Sequence, residues 1–328
     1  MFTRRQTLAT LAGTASAAAL GLPALAAGAK ELKIGHGHTE SHSFHMAMEQ
    51  FSALLEEKAP GAFNVSLYAN SQLGNEREMQ EQLTFGTLEM TVTGVLGIYE
   101  PMLALLELPF LFPDRDAVRK AHDSEAVAGL VSTLPGKGLR LIGFVENGFR
   151  NITNNVKPIM TPADVAGLKI RTPENPAQIE TFKALGAQPT PMPFSELYAA
   201  LKQGVVDGQE NPLQNIYDGK LHEVQKHLAL TGHIYNSAYT VISESFYAGL
   251  EPELQAAVTA AATEAGNWQM DMLANKDAEL LATLKEAGIE VTEPDKAAFL
   301  EATAPAYDIF YAKYGDDAKT FVAAMKEL

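Results

Sequence analysis

Cysteine is absent from the 328-residue chain, which excludes disulfides, thiol catalysis and thiolate metal sites together. The fold must stand on its hydrophobic cores alone. Positive charge is scarce: 25 Lys and Arg face 40 Asp and Glu, for a net charge of −15. That sign argues against nucleic acid and against anionic lipid surfaces as partners. It also means that an anionic ligand is not collected by the overall field and needs local arginines. Beyond residue 26 no segment offers the roughly 20 uninterrupted apolar residues of a membrane span. Catalytic signatures are missing as well. There is no Gly-x-Ser-x-Gly elbow and no Gly-x-Gly-x-x-Gly phosphate loop, and nothing pairs two carboxylates for general acid/base work.

What is present begins with an export signal. Arg4 and Arg5 precede an alanine-rich apolar run from Leu8 to Leu22, and Ala24-Leu25-Ala26 is a small-residue cleavage site. Thr3-Arg4-Arg5-Gln6-Thr7-Leu8 resembles a twin-arginine signal. Residues 1–26 are therefore expected to be removed. That takes away two arginines and no acids, so −15 − 2 gives −17 for the exported chain. About 300 residues remain, enough for two lobes with separate cores.

Strands then alternate with helices. Leu32–Gly35, Phe63–Tyr68 and Thr87–Thr93 read as strands, with helices over Phe44–Leu55 and Glu76–Phe85 between them. This is the α/β class, with βαβ units on a mainly parallel sheet that Leu139–Val145 continues. Leu168–Thr172 opens a second lobe, and Asn175-Pro176 starts a helix that buries Ile179, Phe182 and Leu185. From Phe194 the pattern predicts a short helix capped by Ser195 and stopped by Gly204. A strand from Val205 follows and ends at Pro212, with Glu210 and Asn211 at its tip. Open α/β sheets bind ligands at such carboxyl ends. His227–Tyr235 and Ser237–Ser243 read as further strands, nearly continuous across Asn236, and Glu253–Gly288 as one long helical pattern.

Pro189-Thr-Pro-Met-Pro-Phe-Ser-Glu-Leu-Tyr-Ala-Ala-Leu201, followed by Gly204-Val-Val-Asp-Gly-Gln-Glu-Asn-Pro212, resembles the signature of the TRAP (tripartite ATP-independent periplasmic) transporter solute-binding proteins. The likeness extends in order through Ser71-Gln-Leu-Gly74, Leu108-Pro-Phe-Leu-Phe112, Gly167-Leu-Lys-Ile-Arg-Thr-Pro173, Phe182-Lys-Ala-Leu-Gly-Ala187 and Glu223-Val-Gln-Lys226. It implies a two-lobe periplasmic binding protein hinging around a ligand, with mixed, mainly parallel sheets and a long helix spanning both lobes. The first lobe would hold residues 27–150 and about 237–277, the second 151–236 and about 278–328. The implied protein is a periplasmic monomer without cofactor. It is not an enzyme, and it passes a small organic anion to membrane permease subunits.

The resemblance also implies site residues. Arg171 matches the family's carboxylate-binding arginine, whose planar fork meets a carboxylate with two parallel hydrogen bonds. Asn211 supports the same carboxylate, and Arg150 is a second arginine for the acid group. Glu210 would accept hydroxyls or orient an arginine, and Phe194 would form an apolar wall. Glu76, Glu174, His38, Glu40 and His233 fall at pocket positions. His36, His38, His42 and His45 crowd one loop, but ligand contact is the better reading there than metal, because a metal site needs fixed ligands and a second shell. The hydroxyl-binding candidates favour a hexuronate or aldonate sugar acid; Arg150 keeps C4-dicarboxylates open. Sialic acid is disfavoured, because Thr93-Gly94 stands where its binders carry an acid. A different class, an exported enzyme acting on sugar acids, is the alternative.

Overall fold

The computed structural model describes residues 28–328; the signal peptide expected at 1–26 lies outside them. Nine strands form one sheet: β1 (Lys30–His36), β2 (Phe63–Tyr68), β3 (Met90–Thr93), β4 (Leu139–Asn154), β5 (Lys169–Thr172), β6 (Gln188–Pro191), β7 (Gly208–Asn211), β8 (His227–Ser243) and β9 (Glu290–Thr292). The order is β2-β1-β3-β8-β4-β7-β5-β6, with β9 on β8. β1, β2 and β3 are parallel, as are β5, β6 and β7. Between these two groups β4 and β8 run antiparallel to each other, from Leu139 opposite Ser243 to Asn154 opposite His227. The α/β class and the two-lobe plan follow from this. Each parallel group is the sheet of one lobe, and the β4–β8 pair crosses between them.

The two crossing strands run without a break. Leu139–Val145 and Arg150–Asn154 belong to one 16-residue strand, and the segments on either side of Asn236 to one 17-residue strand. Asn147-Gly148 carries a turn signal, yet each strand supplies the other's ladder, and three register shifts absorb the bend. Gly148, at φ +120°, sits at one of these shifts, opposite Asn236.

Helices cover both faces of each lobe. On one face of the first lobe, Phe44, Met48, Phe51 and Leu55 pack with Val258, Ala261 and Ala265 of the helix Pro252–Ala274. Gly266 lets that helix touch the sheet: a Cβ there would stand 2.0 Å from the Phe144 carbonyl oxygen. The opposite face holds Met79, Leu83, Leu103, Leu106 and Val118. In the second lobe, Ile152, Ile170 and Phe182 form one cluster and Leu197, Leu201 and Ile216 another. Each such side chain contributes about 1.5–3 kcal/mol of burial.

Four local expectations need correction. The long helical pattern is two helices, Pro252–Ala274 and Asp277–Glu286, parted at Asn275-Lys276, where Asp277 and Glu279 favour a fresh N-terminus. The chain's C-terminal part does not all join the second lobe. Leu284 and Phe299 do, but Phe310, Phe321, Val322 and Met325 of the stretch Pro305–Lys326, which kinks at Gly315, join the first lobe's cluster, and the same stretch also packs on the helix Pro176–Ala184 of the second lobe. The helix Phe194–Lys202 starts after Pro193 without a side-chain cap, so Ser195 is not its N-cap. β7 begins at Gly208, because Val205 lies exposed in the preceding turn and only Gly208 lets the chain come against the Thr153 carbonyl.

Candidate functional site

The register brings the site together at the sheet's centre. β7 places Glu210 and Asn211 opposite Ile152 and Asn151 of β4. β5 sets Arg171 beside Gln209, and β8 sets Asn236 opposite Gly148, two residues from Arg150. Arg150, Arg171, Glu210 and Asn211 are all buried.

Arg150 is spent inside the protein. Its Nε and Nη2 fork onto the Glu210 carboxylate, with Nη2 to Oε1 at 2.9 Å; Nη2 also reaches Asn211 Oδ1 and Nη1 reaches Asn236 Oδ1, both at 3.1 Å. Glu210 also meets His233 Nε2 at 3.3 Å, while His233 Nδ1 pairs with Thr231 Oγ1 at 2.7 Å. Burial pushes the Glu210 carboxyl up, and Arg150 and His233 more than reverse it, leaving it below the ordinary carboxylate range. The structure thus places His233 behind the site, as a support to Glu210. It leaves Arg150 little capacity to grip a second acid group.

Arg171 is different. Its Nε and Nη2 donate to the Met192 carbonyl at 3.0 and 2.6 Å, and among the described residues it has no ion pair and Nη1 has no hydrogen-bond partner. Burial, followed by the nearby Arg150, lowers its pKa to about 10 against the pull of Glu210, Glu76 and Glu174. It therefore stays charged at neutral pH. A buried cation without an anion is costly to hold, and this one faces a gap lined by Glu76, Gln80, Glu174 and Pro193.

The other candidates divide. Glu76 Oε1 is pinned by Thr93 Oγ1 at 3.1 Å and the Gly94 N–H at 2.9 Å, at the start of the helix Glu76–Phe85. Glu174 is half-buried in the same gap. His38 and Phe194, ring centroids 4.7 Å apart, line a neighbouring gap with Asn70 and Ser71. Burial, with His42, His36, Arg171 and Arg150 nearby, pushes His38 far below its ordinary pKa. Glu40 is exposed on the turn after His38 and stands outside this assembly. Among the described residues no three His, Asp or Glu converge as metal ligands; the loop histidines form pairs instead, such as His36 Nε2 to His45 Nδ1 at 3.0 Å.

Sequence reasoning missed a buried amide network. Asn236 Nδ2 donates to Glu107 Oε2 at 2.7 Å, Asn147 Nδ2 donates to Asn236 Oδ1, and Asn215 Nδ2 donates to both Asn147 Oδ1 and Asn211 Oδ1 at 3.0 Å. Burial drives the Glu107 carboxyl well above its usual range. Glu107 had a signal, a lone acid within the apolar run Leu103–Leu111. Asn147, Asn215 and Asn236 had none.

Two α/β lobes joined by crossing strands, with a buried arginine that has no ion pair among the described residues in a gap at their junction, define a solute-binding protein of the periplasmic type. The family "Bacterial extracellular solute-binding protein, family 7" matches residues 34–314, and the chain belongs to it. The 2,3-diketo-L-gulonate-binding periplasmic protein YiaO of Escherichia coli is 39% identical over 277 residues, 84% of each chain. A TRAP periplasmic solute-binding protein from Bordetella bronchispeptica, with density assigned to pantoate, superposes with a TM-score of 0.87 at 37% identity, covering 90% of this chain and 98% of the other. The sugar acid binding protein DctPAm from Advenella mimigardefordensis, in complex with galactonate, gives a TM-score of 0.87 at 30% identity over 91% and 98%. Among the described residues no helix is long and apolar enough to cross a membrane.

Proposed function

We propose that this chain is the extracytoplasmic solute-binding subunit of a TRAP transporter and captures a hydroxylated monocarboxylate, a sugar acid of the aldonate or hexuronate type. The observation that carries the reading is Arg171, a buried guanidinium with no ion pair among the described residues. A ligand carboxylate about 4 Å away in a partly desolvated cleft would gain about 4 kcal/mol of Coulomb energy.

The rest of the site bears on the remainder of the ligand. Arg150 is committed to Glu210, so it offers no free fork to another acid group, and Arg77, the other arginine lining the gap, pairs with Glu81. Glu76 and Glu174 flank Arg171 and would accept hydroxyl protons while repelling a second carboxylate. That combination suits a monoacid with several hydroxyls, in keeping with the ligands of the similar proteins named above. Binding, closure and release need no covalent step. The chain would be exported by the signal at 1–26, act in the periplasm as a monomer and deliver its solute to the membrane permease.

A thermal-shift screen of D-galactonate, L-gulonate, D-glucuronate, pantoate, succinate and malate tests this. Ligand at about a hundred times its Kd stabilises by about 2.7 kcal/mol, a shift of about 4 °C in Tm for a chain of this size. Hydroxylated monoacids are expected to raise Tm, and succinate and malate to leave it unchanged. A response to succinate or malate alone would overturn the sugar-acid assignment. Chemical turnover of a ligand over hours would overturn the transport reading in favour of an exported enzyme.

A further inference from the structure

The lobes touch each other through a histidine that the carboxylate site does not use. His42 is buried at the N-cap of the helix Ser43–Lys58 in the first lobe. Its Nδ1 accepts the Phe44 N–H at 3.1 Å. An accepting nitrogen carries no proton, so the neutral ring holds its proton at Nε2. There it donates across the lobes to Asn215 Oδ1, 2.9 Å away. Asn215 in turn holds Asn211, on the tip of β7, and Asn147 of β4 through the same amide nitrogen. We infer that His42 is an affinity-determining latch: its neutral imidazole ties the closed lobes together through Asn215, so that solute is held more tightly at neutral than at acid pH. The inference rests on the reading that the chain closes on a solute, but not on which solute that is.

A second proton on His42 has no place in the closed form. It would go to Nδ1, directly against the Phe44 N–H, and destroy the cap. The surroundings oppose it too. His38 stacks on His42 with ring centroids 4.0 Å apart, and His36 and His45 complete the loop's cluster. From β4 and β5, Arg150 and Arg171 act on His38. Asp218, at the end of the helix Leu213–Asp218, pulls the other way. Burial lowers His42 from 6.5 to about 4, although the Asn215 bond and Asp218 act to raise it.

In an open form the same ring is wetted and titrates near its ordinary pKa, so closure releases a proton whenever the pH lies below that value. The latch is fully available above about pH 6.5 and is lost as pH falls toward 4. One such proton makes Kd rise about 30-fold between pH 7.5 and pH 5. An ordinary ligand carboxyl, titrating near about 4, stays mostly ionised over that range.

The test is calorimetry on the exported chain at pH 7.5, 6.5, 5.5 and 5, using whichever of D-galactonate, pantoate or succinate gives the largest thermal shift at pH 7.5. If that ligand is succinate, the sugar-acid assignment fails, yet the pH slope still reads the latch. Wild-type Kd is expected to rise about 30-fold across the range. His42→Gln keeps an amide donor near the Nε2 position but cannot titrate. It should bind near wild type at pH 7.5 and lose most of the pH dependence. His42→Asn keeps a good helix cap but is too short to reach Asn215, and should bind about fivefold or more weakly at pH 7.5 with Tm close to wild type. A flat wild-type profile, a His42→Gln protein retaining the full slope, or a His42→Asn protein binding as wild type would each overturn the latch.

Discussion

Replacing Arg171 by alanine is expected to weaken solute binding by about 30-fold to several-thousand-fold while the fold persists. Removing one partner of a buried, hydrogen-bonded charge pair costs roughly 2–5 kcal/mol, largely because the other charge is left unpaired in the closed cleft. The unliganded protein gives up little. Arg171 there is a buried cation whose only protein hydrogen bonds among the described residues run to the Met192 carbonyl, so its removal relieves a desolvation cost as it removes those bonds. Affinity and stability should therefore part company: Kd collapses, and Tm without ligand stays within a few degrees. Arg171→Lys should be nearly as damaging, because an ammonium cannot hold Met192 and present a fork to a carboxylate together. A Kd for Arg171→Ala within threefold of wild type would remove the clamp assignment.

The second large effect falls on stability. Glu210→Ala strands Arg150, a buried guanidinium whose Nε and Nη2 both rest on that carboxylate. Breaking a buried pair by deleting one partner typically costs about 3–5 kcal/mol. His233 Nε2 loses its partner at the same time. In a chain of this size the loss should lower Tm by on the order of 10 °C. Glu210→Gln, which keeps an acceptor without the charge, should cost less. If Glu210→Ala melted within about two degrees of wild type, Arg150 would have to be satisfied elsewhere. The two arginines are thus told apart by experiment. Arg150 is paid within the fold, and Arg171 awaits the ligand.

That distinction was not legible in the sequence. The motifs around Gly167–Pro173 and Gly204–Pro212 placed Arg171, Glu210 and Asn211 at one site, the family likeness added Arg150, and the register of β4, β5 and β7 brings them together. Which arginine is free depends on a cross-strand contact between residues 60 apart, and local pattern carries nothing about that. The same limit explains the crossing strands. Asn147-Gly148 looks like a turn when taken alone, yet it continues as strand because β4 and β8 satisfy each other's backbone along their length. The C-terminal stretch follows suit, since its apolar residues have the right period for either lobe, and it packs against Leu103 and Leu106 of the first and the helix Pro176–Ala184 of the second. The histidine loop attracted attention for its metal-like spacing, whereas His42 acts as helix cap and interlobe donor. What local chemistry does dictate came through: the βαβ alternation of the first lobe, the helix opening at Asn175-Pro176 and the left-handed Gly204 that follows its helix.

The central claim is that the solute is held by its carboxylate. Calorimetric titration of the wild-type protein at pH 7.5 with D-galactonate and with galactitol, in which a neutral CH₂OH replaces the carboxylate, tests it most directly. The account predicts binding of the acid and a loss of at least about 30-fold for the alcohol, the low end of the cost of an unpaired Arg171. Galactitol binding within threefold of galactonate would contradict it.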